Sequence, residues 1–424
     1  MDNLKNILII GGGGREHAIA ESLAFSKDVG RMYCIPGNAG IAEIAECHSS
    51  IGATDLDAIV DFVEKHSDIY MTVVAPDDPL SLGLVNKLNE KGFRAFGPTK
   101  LAAEIESSKV FSKGFMERHG IPTARHKAFS DYNAAKEYLN ICNIPIVIKA
   151  DGLALGKGVS VCLTREDAFE ALKRTMEDKA FGQAGSSVVI EEFLTGFEVS
   201  VLAFCDGTTV VPMVSATDYK RAYDGNEGPN TGGMGTISPA PGYTKEIAIK
   251  AMDTIFIPTV KGLKNEGREF KGILYFGLII DDSGTPKIIE YNARFGDPET
   301  QVVLPKLKTD LLEIFDACID GSLANLNIEW HDSYAVCVCL ASGGYPLAYE
   351  KGKQITLPKK LDDDVILYHA GTKLDDSGAL ITNGGRVLNV VALAKTQKSA
   401  RELVYKNLKK IKFDGAHYRT DIAK

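Results

Sequence analysis

A four-residue apolar run, Ile7-Leu8-Ile9-Ile10, opens directly onto Gly11-Gly12-Gly13-Gly14 and then onto the helical spacing of Glu16–Ser26. A strand that ends in glycines and feeds a helix is half of a crossover unit, which brings the next strand in parallel beside the first. The pattern continues along the chain. Arg31–Ile35 reads as strand ahead of a Pro36-Gly37-Asn38 turn, Leu56–Lys65 as helix, Ile69–Ala75 as strand, Leu82–Lys91 as helix and Arg94–Phe96 as a short strand. This alternation predicts a parallel, doubly wound sheet. Gly97-Pro98-Thr99 breaks it, Thr99 is placed to cap a helix over Ala102–His119, and a first domain therefore ends at residue 101.

From Pro145 the texture changes. Ile146–Lys149 and Val159–Cys162 read as strands joined by a glycine-rich connection, Glu166–Lys173 as helix, and Ser187–Glu191 and Glu198–Asp206 as strands. Asp218–Gly235 reads as a long glycine-rich loop, and such loops in compact domains are usually functional. A helix around Lys245–Leu263 precedes strands Ile273–Asp281 and Lys287–Tyr291, and from Ser333 short strands mix with one amphipathic helix, Ser399–Ile411. At 424 residues the chain has room for two to four domains. Forty-eight basic against 56 acidic residues give a net charge of −8, which argues against sequence-independent binding to nucleic acid or anionic lipid. No apolar stretch approaches the roughly 18–20 residues of a membrane helix, and the eight scattered cysteines form no C-x-x-C pair, so the expectation is a reduced, cytoplasmic protein.

The first glycine run suits a phosphate, because glycines let backbone approach closely and the helix N-terminus supplies aligned N–H donors. It is a poor dinucleotide fingerprint. Glu16 takes the third glycine position, and no acid for an adenosine ribose follows the second strand. A small phosphate-bearing substrate is the better reading, with a plain tight turn as the alternative. The second loop, Lys149-Ala150-Asp151-Gly152-Leu153-Ala154-Leu155-Gly156-Lys157-Gly158, is not a Walker motif, since Gly158 stands where Ser or Thr would hold magnesium and a strand follows. It reads as a flap whose N–H groups and Lys157 close over a triphosphate, with Lys149 reaching the same phosphates as a point charge; a plain surface hairpin is the bland alternative.

Glu191–Glu198 lies between two strands, where a strand end can meet an adenine edge and a following carboxylate can accept from ribose hydroxyls. Glu290 and Asn292 flank Tyr291 on a strand and so point the same way, a hard-oxygen pair suited to magnesium; the competing reading is an edge strand with solvated polar residues. Arg294 follows, offering a guanidinium to phosphate or carboxylate. Together these features point to Mg-ATP without a Walker motif.

The motifs Gly13–Ala18, Pro36–Gly40, Phe96–Thr99, Ile148–Ala154, Gly228–Gly235, Arg294–Gln301 and His369–Thr372 resemble, in that order and over most of the chain, those of the phosphoribosylamine–glycine ligase (glycinamide ribonucleotide synthetase) family of ATP-grasp enzymes. The resemblance implies a multidomain α/β and α+β chain. Residues 1–101 form the doubly wound pre-ATP-grasp domain for phosphoribosylamine, 102–327 a two-lobed ATP-grasp core with a mobile lobe at about 123–195, and 328–424 a small mixed C-terminal domain. It implies that ATP, glycine and 5-phosphoribosylamine give glycinamide ribonucleotide through glycyl phosphate in purine biosynthesis, with Mg2+ or Mn2+. The expected form is a monomer or weak homodimer.

The resemblance assigns Lys109 and Lys149 to the phosphates, beside the flap residues Gly156, Lys157 and Gly158 read above, and Glu191, Phe193 and Leu194 to the adenine, Glu198 to the ribose, and Glu290 with Asn292 to the metal. Gly13, Gly14, Arg15, Asp77 and Arg294 fall to substrate, and Lys149, Arg294 and Asp218 to catalysis. Asp77 stands where the family usually has glutamate, and Tyr219 where histidine is common. Another ATP-grasp carboxylate–amine ligase, or a catalytically silent nucleotide-binding regulator, remain the alternative functions.

Overall fold

The computed structural model describes residues 4–153 and 158–424. The first domain is built on strands β1 (Lys5–Gly11), β2 (Val29–Pro36), β3 (Glu46–Cys47), β4 (Ile69–Val74) and β5 (Ala95–Phe96). They pair in the order β3-β2-β1-β4-β5, all parallel. The unbroken apolar run in β1 has a direct cause: both faces of the sheet are covered. Leu8 and Ile10 pack among Ile59, Phe62 and Leu88 on one face, while Ile7 and Ile9 pack among Ala18, Ile19 and Phe315 on the other. Phe315 belongs to a helix far along the chain, Leu311–Asp320, and stacks on Phe96 at 3.9 Å between ring centroids. The next domain is thereby fastened to the back of this sheet.

The helix expected over Ala102–His119 is two helices, Lys100–Ser107 and Lys109–Arg118, because Ser108 is extended and its hydroxyl caps the second by accepting from the Phe111 N–H. Leu82–Lys91 likewise divides at Gly83, whose φ of +95° is the left-handed region glycine favours. A strand, β6 (His126–Phe129), and a helix, Tyr132–Ile141, follow without having been expected. With β7 (Ile146–Ala150), β8 (Val159–Cys162) and β9 (Val188–Glu192), β6 makes an antiparallel sheet in the order β6-β9-β7-β8. This lobe encloses its own core, in which Leu139, Ile148, Leu172 and Ile190 are buried.

The facing sheet is β11-β10-β16-β17, made from β10 (Phe197–Asp206), β11 (Val210–Pro212), β16 (Lys271–Ile280) and β17 (Pro286–Asn292). Asp218–Gly235, read above as aperiodic, carries short strands. β12 (Thr217–Asp218) and β15 (Gly235–Ser238) pair with each other, and β13 (Arg221–Tyr223) with β14 (Glu227–Asn230). Two- to four-residue strands are too short to leave a periodic signal. β15 also joins a sheet built mostly from the last hundred residues, β18 (Tyr334–Ala341), β19 (Val365–His369) and β22 (Arg386–Ala394), in the order β12-β15-β18-β22-β19; a small pair, β20 (Thr372–Leu374) and β21 (Leu380–Thr382), lies apart. The helix Gln397–Leu408 covers this sheet through Ala400, Val404 and Leu408. Among the described residues, no helix is long and apolar enough to cross a membrane.

Candidate active site

The cleft between the two lobes is organised by a buried chain of charge. Lys149, at the end of β7, and Lys113, on the helix Lys109–Arg118, both reach Glu191 on β9; the Nζ–O distances are 3.1 and 2.9 Å and all three residues are at most 4% exposed. Lys149 Nζ also donates to Ile289 O at 2.9 Å, and Lys113 Nζ to Thr123 Oγ1 at 2.7 Å, which in turn donates to Ile288 O. The two lobes are therefore stitched by lysines that reach from one sheet to the backbone beside Glu290. Burial pushes the Glu191 carboxyl up, but Lys149 and Lys113 more than offset it and hold it below the usual range. Burial lowers Lys113 to about 8 despite Glu191. Glu191 thus spends its side chain on two ammoniums, and its β-strand backbone is what remains for an adenine edge. Phe193 and Leu194 follow it, exposed and half-buried respectively.

Lys109 is also drawn into this region. Its Nζ donates to Gly152 O at 2.8 Å, and burial, ahead of the opposing pull of Glu290, lowers its pKa. Asp151 fixes the root of the glycine flap, accepting from Val110 N–H and Ser108 Oγ at 3.1 Å each. Gly158 immediately precedes β8, and its carbonyl accepts from Ala150 N–H. Gly156 and Lys157 lie outside the described residues.

On the opposite wall, Glu290 and Asn292 alternate on β17 as expected. Lys220 links Glu290 to Glu198, at 3.6 and 3.0 Å. Burial raises the Glu290 carboxyl, but Lys220, Lys149, Lys109 and Arg294 together hold it below normal, so it is an anion facing cations. A Cβ on Gly277, the cross-strand partner of Glu290, would come 3.0 Å from Glu290 Cγ, so glycine keeps this stretch of β16 clear. The donor set fits a hard divalent cation. A carboxylate and a carboxamide supply oxygen donors from one strand face, and phosphate oxygens and water would complete the shell.

Arg294 is half-buried and multiply held. It donates to Asn292 Oδ1 at 3.0 Å and pairs with Glu106 Oε1 at 3.2 Å, while Glu106 Oε2 accepts from Ala293 N–H at 2.7 Å. Burial raises Glu106 to about 7. Asp77, at the start of the helix Asp77–Leu82, is near enough to act electrostatically on both Glu106 and Arg294. Asp218 is half-buried beneath Gly233, and its buried Oδ1 has no hydrogen-bond partner among the described residues; desolvation, then Glu299, raise its pKa well above normal. Glu299 itself accepts from Ser200 Oγ and Tyr275 OH, 3.1 Å each.

The first glycine run meets this cluster from the other side. A Cβ on Gly14 would fall 2.3 Å from Asn389 Nδ2 and 2.8 Å from Gln301 Nε2, and a Cβ on Gly13 would fall 3.5 Å from Asp297 Oδ2. Arg15 turns inward, donating to Glu16 Oε1 at 2.6 Å and Phe295 O at 3.1 Å. Arg386, from the C-terminal sheet, pairs with Asp297 at 2.9 Å and donates to Gly232 O at 2.7 Å, locking the glycine-rich 228–235 segment onto the loop after β17. Lys113, Lys220, Glu106, Glu299, Arg386 and Asn389 were not anticipated from sequence. Lys113 alone carried a signal, lying one helical turn from Lys109.

Two antiparallel sheets gripping a lysine-lined cleft, behind a parallel-sheet domain, define an ATP-grasp protein. The biotin carboxylase domain of Hydrogenobacter thermophilus 2-oxoglutarate carboxylase has the same fold, at 17% identity and a TM-score of 0.77 over 98% of this chain and 91% of that one. Family models described as the N, ATP-grasp (A) and C domains of phosphoribosylglycinamide synthetase match residues 5–106, 107–300 and 335–424, and the chain belongs to that family. It is 49% identical to the phosphoribosylamine–glycine ligase of Halalkalibacterium halodurans over 417 residues, which cover 98% of this chain and 96% of that protein. The crystal structure of phosphoribosylamine–glycine ligase from Thermotoga maritima is similar with a TM-score of 0.84 and 37% identity, covering 98% of this chain and all of that one.

Proposed function

We propose that the chain joins glycine to 5-phosphoribosylamine at the expense of ATP, giving glycinamide ribonucleotide, ADP and phosphate. The observation that carries this reading is the buried Lys149–Glu191–Lys113 chain abutting Glu290 and Asn292 in a member of this family. A glycine carboxylate is a poor electrophile at neutral pH. Its oxygen attacks the γ-phosphorus, ADP leaves, and the resulting glycyl phosphate has a carbonyl carbon open to the amine. The nitrogen of phosphoribosylamine then adds to that carbon, phosphate departs and the amine proton is lost to solvent.

Little proton transfer is asked of the protein, so positioning and charge supply most of the rate. Lys149 and Lys109 hold the phosphates, with Gly156, Lys157 and Gly158 as the flap. The backbone of Glu191, with Phe193 and Leu194, holds adenine, and Glu198 the ribose. Glu290 and Asn292 hold Mg2+ or Mn2+, which when bound offsets charge on the phosphates. Arg294 and Asp218 orient glycine; Gly13, Gly14, Arg15 and Asp77 receive the amine substrate.

The division of labour is residues 1–101 for the amine, 102–327 for ATP with 123–195 as the closing lobe, and 328–424 as a brace. The separate core of the closing lobe supports its movement as a unit, which excludes water from the acyl phosphate. The enzyme works in the cytoplasm as a monomer or weak homodimer, without nucleic acid or membrane. Phosphate release from Mg-ATP is the test, with glycine present and phosphoribosylamine generated in place from ribose 5-phosphate and ammonia. Release that requires both substrates, with the product identified by mass, is expected. Release with glycine alone would mean the amine is wrong, and none at all would overturn the ligase reading.

A further inference from the structure

Two of the eight cysteines, 13 residues apart in sequence, meet beneath the first glycine run. Cys34 on β2 and Cys47 on β3 are direct partners in the parallel ladder. Both side chains point to the same face, Cys34 inside the core that includes Ile9 and Ala18, and Cys47 packed against it. A Cβ built on Gly37 would lie 3.0 Å from Cys47 Cβ and 3.5 Å from Cys34 Cβ, so the two side chains stand side by side. Neighbouring strands lie about 4.7–4.9 Å apart, inside the roughly 4.4–6.8 Å Cα separation that a disulfide spans. β3 is a two-residue edge strand, so little backbone resists the small approach of the Cβ atoms that bonding requires.

We propose that Cys34 and Cys47 are a dithiol that closes to a disulfide under oxidation and so distorts the glycine loop. Cys47 is half-buried and Cys34 buried, so an oxidant reaches Cys47 first. The contact with Cys34 lowers the Cys47 thiol below its ordinary value, leaving it the readier nucleophile. With glutathione disulfide as oxidant, the Cys47 thiolate attacks one glutathione sulfur and releases one glutathione thiolate. The Cys34 thiol gives its proton to that thiolate as its sulfur attacks Cys47 Sγ, and the second glutathione leaves. Two protein thiols are oxidised and one glutathione disulfide is reduced.

The consequence follows from what the thiols now hold. Cys34 Sγ donates to Gly11 O at 3.2 Å, the same carbonyl that accepts from Gly37 N–H at 3.1 Å. A Cβ on Gly37 would lie 2.3 Å from Cys47 Sγ, so that sulfur is pressed against the turn carrying Asn38. Asn38 in turn donates to Gly12 O at 2.9 Å and His369 O at 2.8 Å. Oxidation removes the S–H donor and drags the sulfur away from the turn, shifting the loop proposed to receive phosphoribosylamine. That kinetic consequence rests on the ligase reading, whereas the bond itself does not.

The other thiols do not compete. Cys162, Cys205, Cys318, Cys337 and Cys339 are buried, and half-buried Cys142 lies beside Arg165, with no cysteine among its contacts in the described residues.

The test treats the full-length protein with glutathione disulfide, blocks the remaining thiols and maps the peptides. A reversible Cys34–Cys47 cross-link is expected, lost in Cys47→Ser and in Cys47→Ala, with Cys142 at most carrying a glutathione adduct. On turnover, oxidation should lower kcat/KM for the amine by about ten- to a hundredfold, the scale of an ångström-sized misplacement, leave the KM for ATP unchanged, and have no such effect on Cys47→Ser. A stable glutathione adduct on Cys47 with Cys34 still free would overturn the proposal, as would both thiols remaining reduced. A cross-link that forms with no change in kinetics would keep the disulfide and overturn its coupling to the loop.

Discussion

Glu191 neutralises two ammoniums at once, and the two kinds of cost can be separated by substitution. Lys149→Ala leaves Glu191 paired with Lys113, so the fold should persist while turnover drops by about a hundred- to a thousandfold, the scale of losing one preorganised donor. Unchanged turnover in a folded variant would remove Lys149 from the chemistry. Glu191→Ala strands two buried cations and should cost about 3–5 kcal/mol in urea unfolding, the range for breaking a buried pair. Lys149 was legible because it closes a strand ahead of a glycine loop. Lys113 and Glu106 were not, since each draws its meaning from a partner far along the chain, at Glu191 and Arg294.

At the scale of elements, Asp151 has an unusual double duty. It sits at the root of a flap yet caps a helix in the neighbouring lobe through Val110 N–H. Asp151→Ala should lower stability by about 1 kcal/mol, as loss of a cap does. The informative readout is the KM for ATP, which should rise because the backbone at Asp151 and Gly152 is no longer held to the helix that carries Lys109; an unaltered KM would reduce Asp151 to a cap. Leu56–Lys65 was readable because its apolar spacing matches the face it buries, and Phe197–Asp206 because a run mostly of apolar residues marks a strand buried on both faces. The break at Ser108 was not, because the sequence there is compatible with continuous helix and the interruption is favoured by the Ser108 cap on Phe111 N–H together with the contact to Asp151, far along the chain.

Across the whole molecule, the first and last domains are fastened by imidazoles. His369 N–H donates to His17 Nδ1 at 2.9 Å, and burial lowers His17 to about 3 and His369 to about 4. The unfolded chain takes up protons near 6.5 and the native one does not, so each histidine should cost about 1.4 kcal/mol per pH unit as pH falls from 6.5 toward 4. Glu21, 3.6 Å from His17 Nε2, opposes this. Burial and then Glu43 raise it to about 7, so it favours the fold as pH falls from 7 to its ordinary 4.5. Glu106, also raised to about 7, acts in the same sense as Glu21, so the comparison lies in the variants: between pH 7 and 5 the urea midpoint should shift upward relative to the natural chain in His17→Gln and downward in Glu21→Gln, and identical slopes in all three would sink this account. The parallel sheet of the first domain was legible from alternation alone. That β12 and β15 belong to the C-terminal sheet was not, because a four-residue strand does not announce a partner a hundred residues on. That membership matters during synthesis. When Gly235–Ser238 leaves the ribosome its partner β18 has not yet been made, and at roughly 5–20 residues per second this edge waits several seconds with its ladder groups unsatisfied. A nascent chain stalled before Tyr334, or a gene truncated there, would present an unpaired strand edge to its neighbours, so the last domain acts as the stopper that closes this edge.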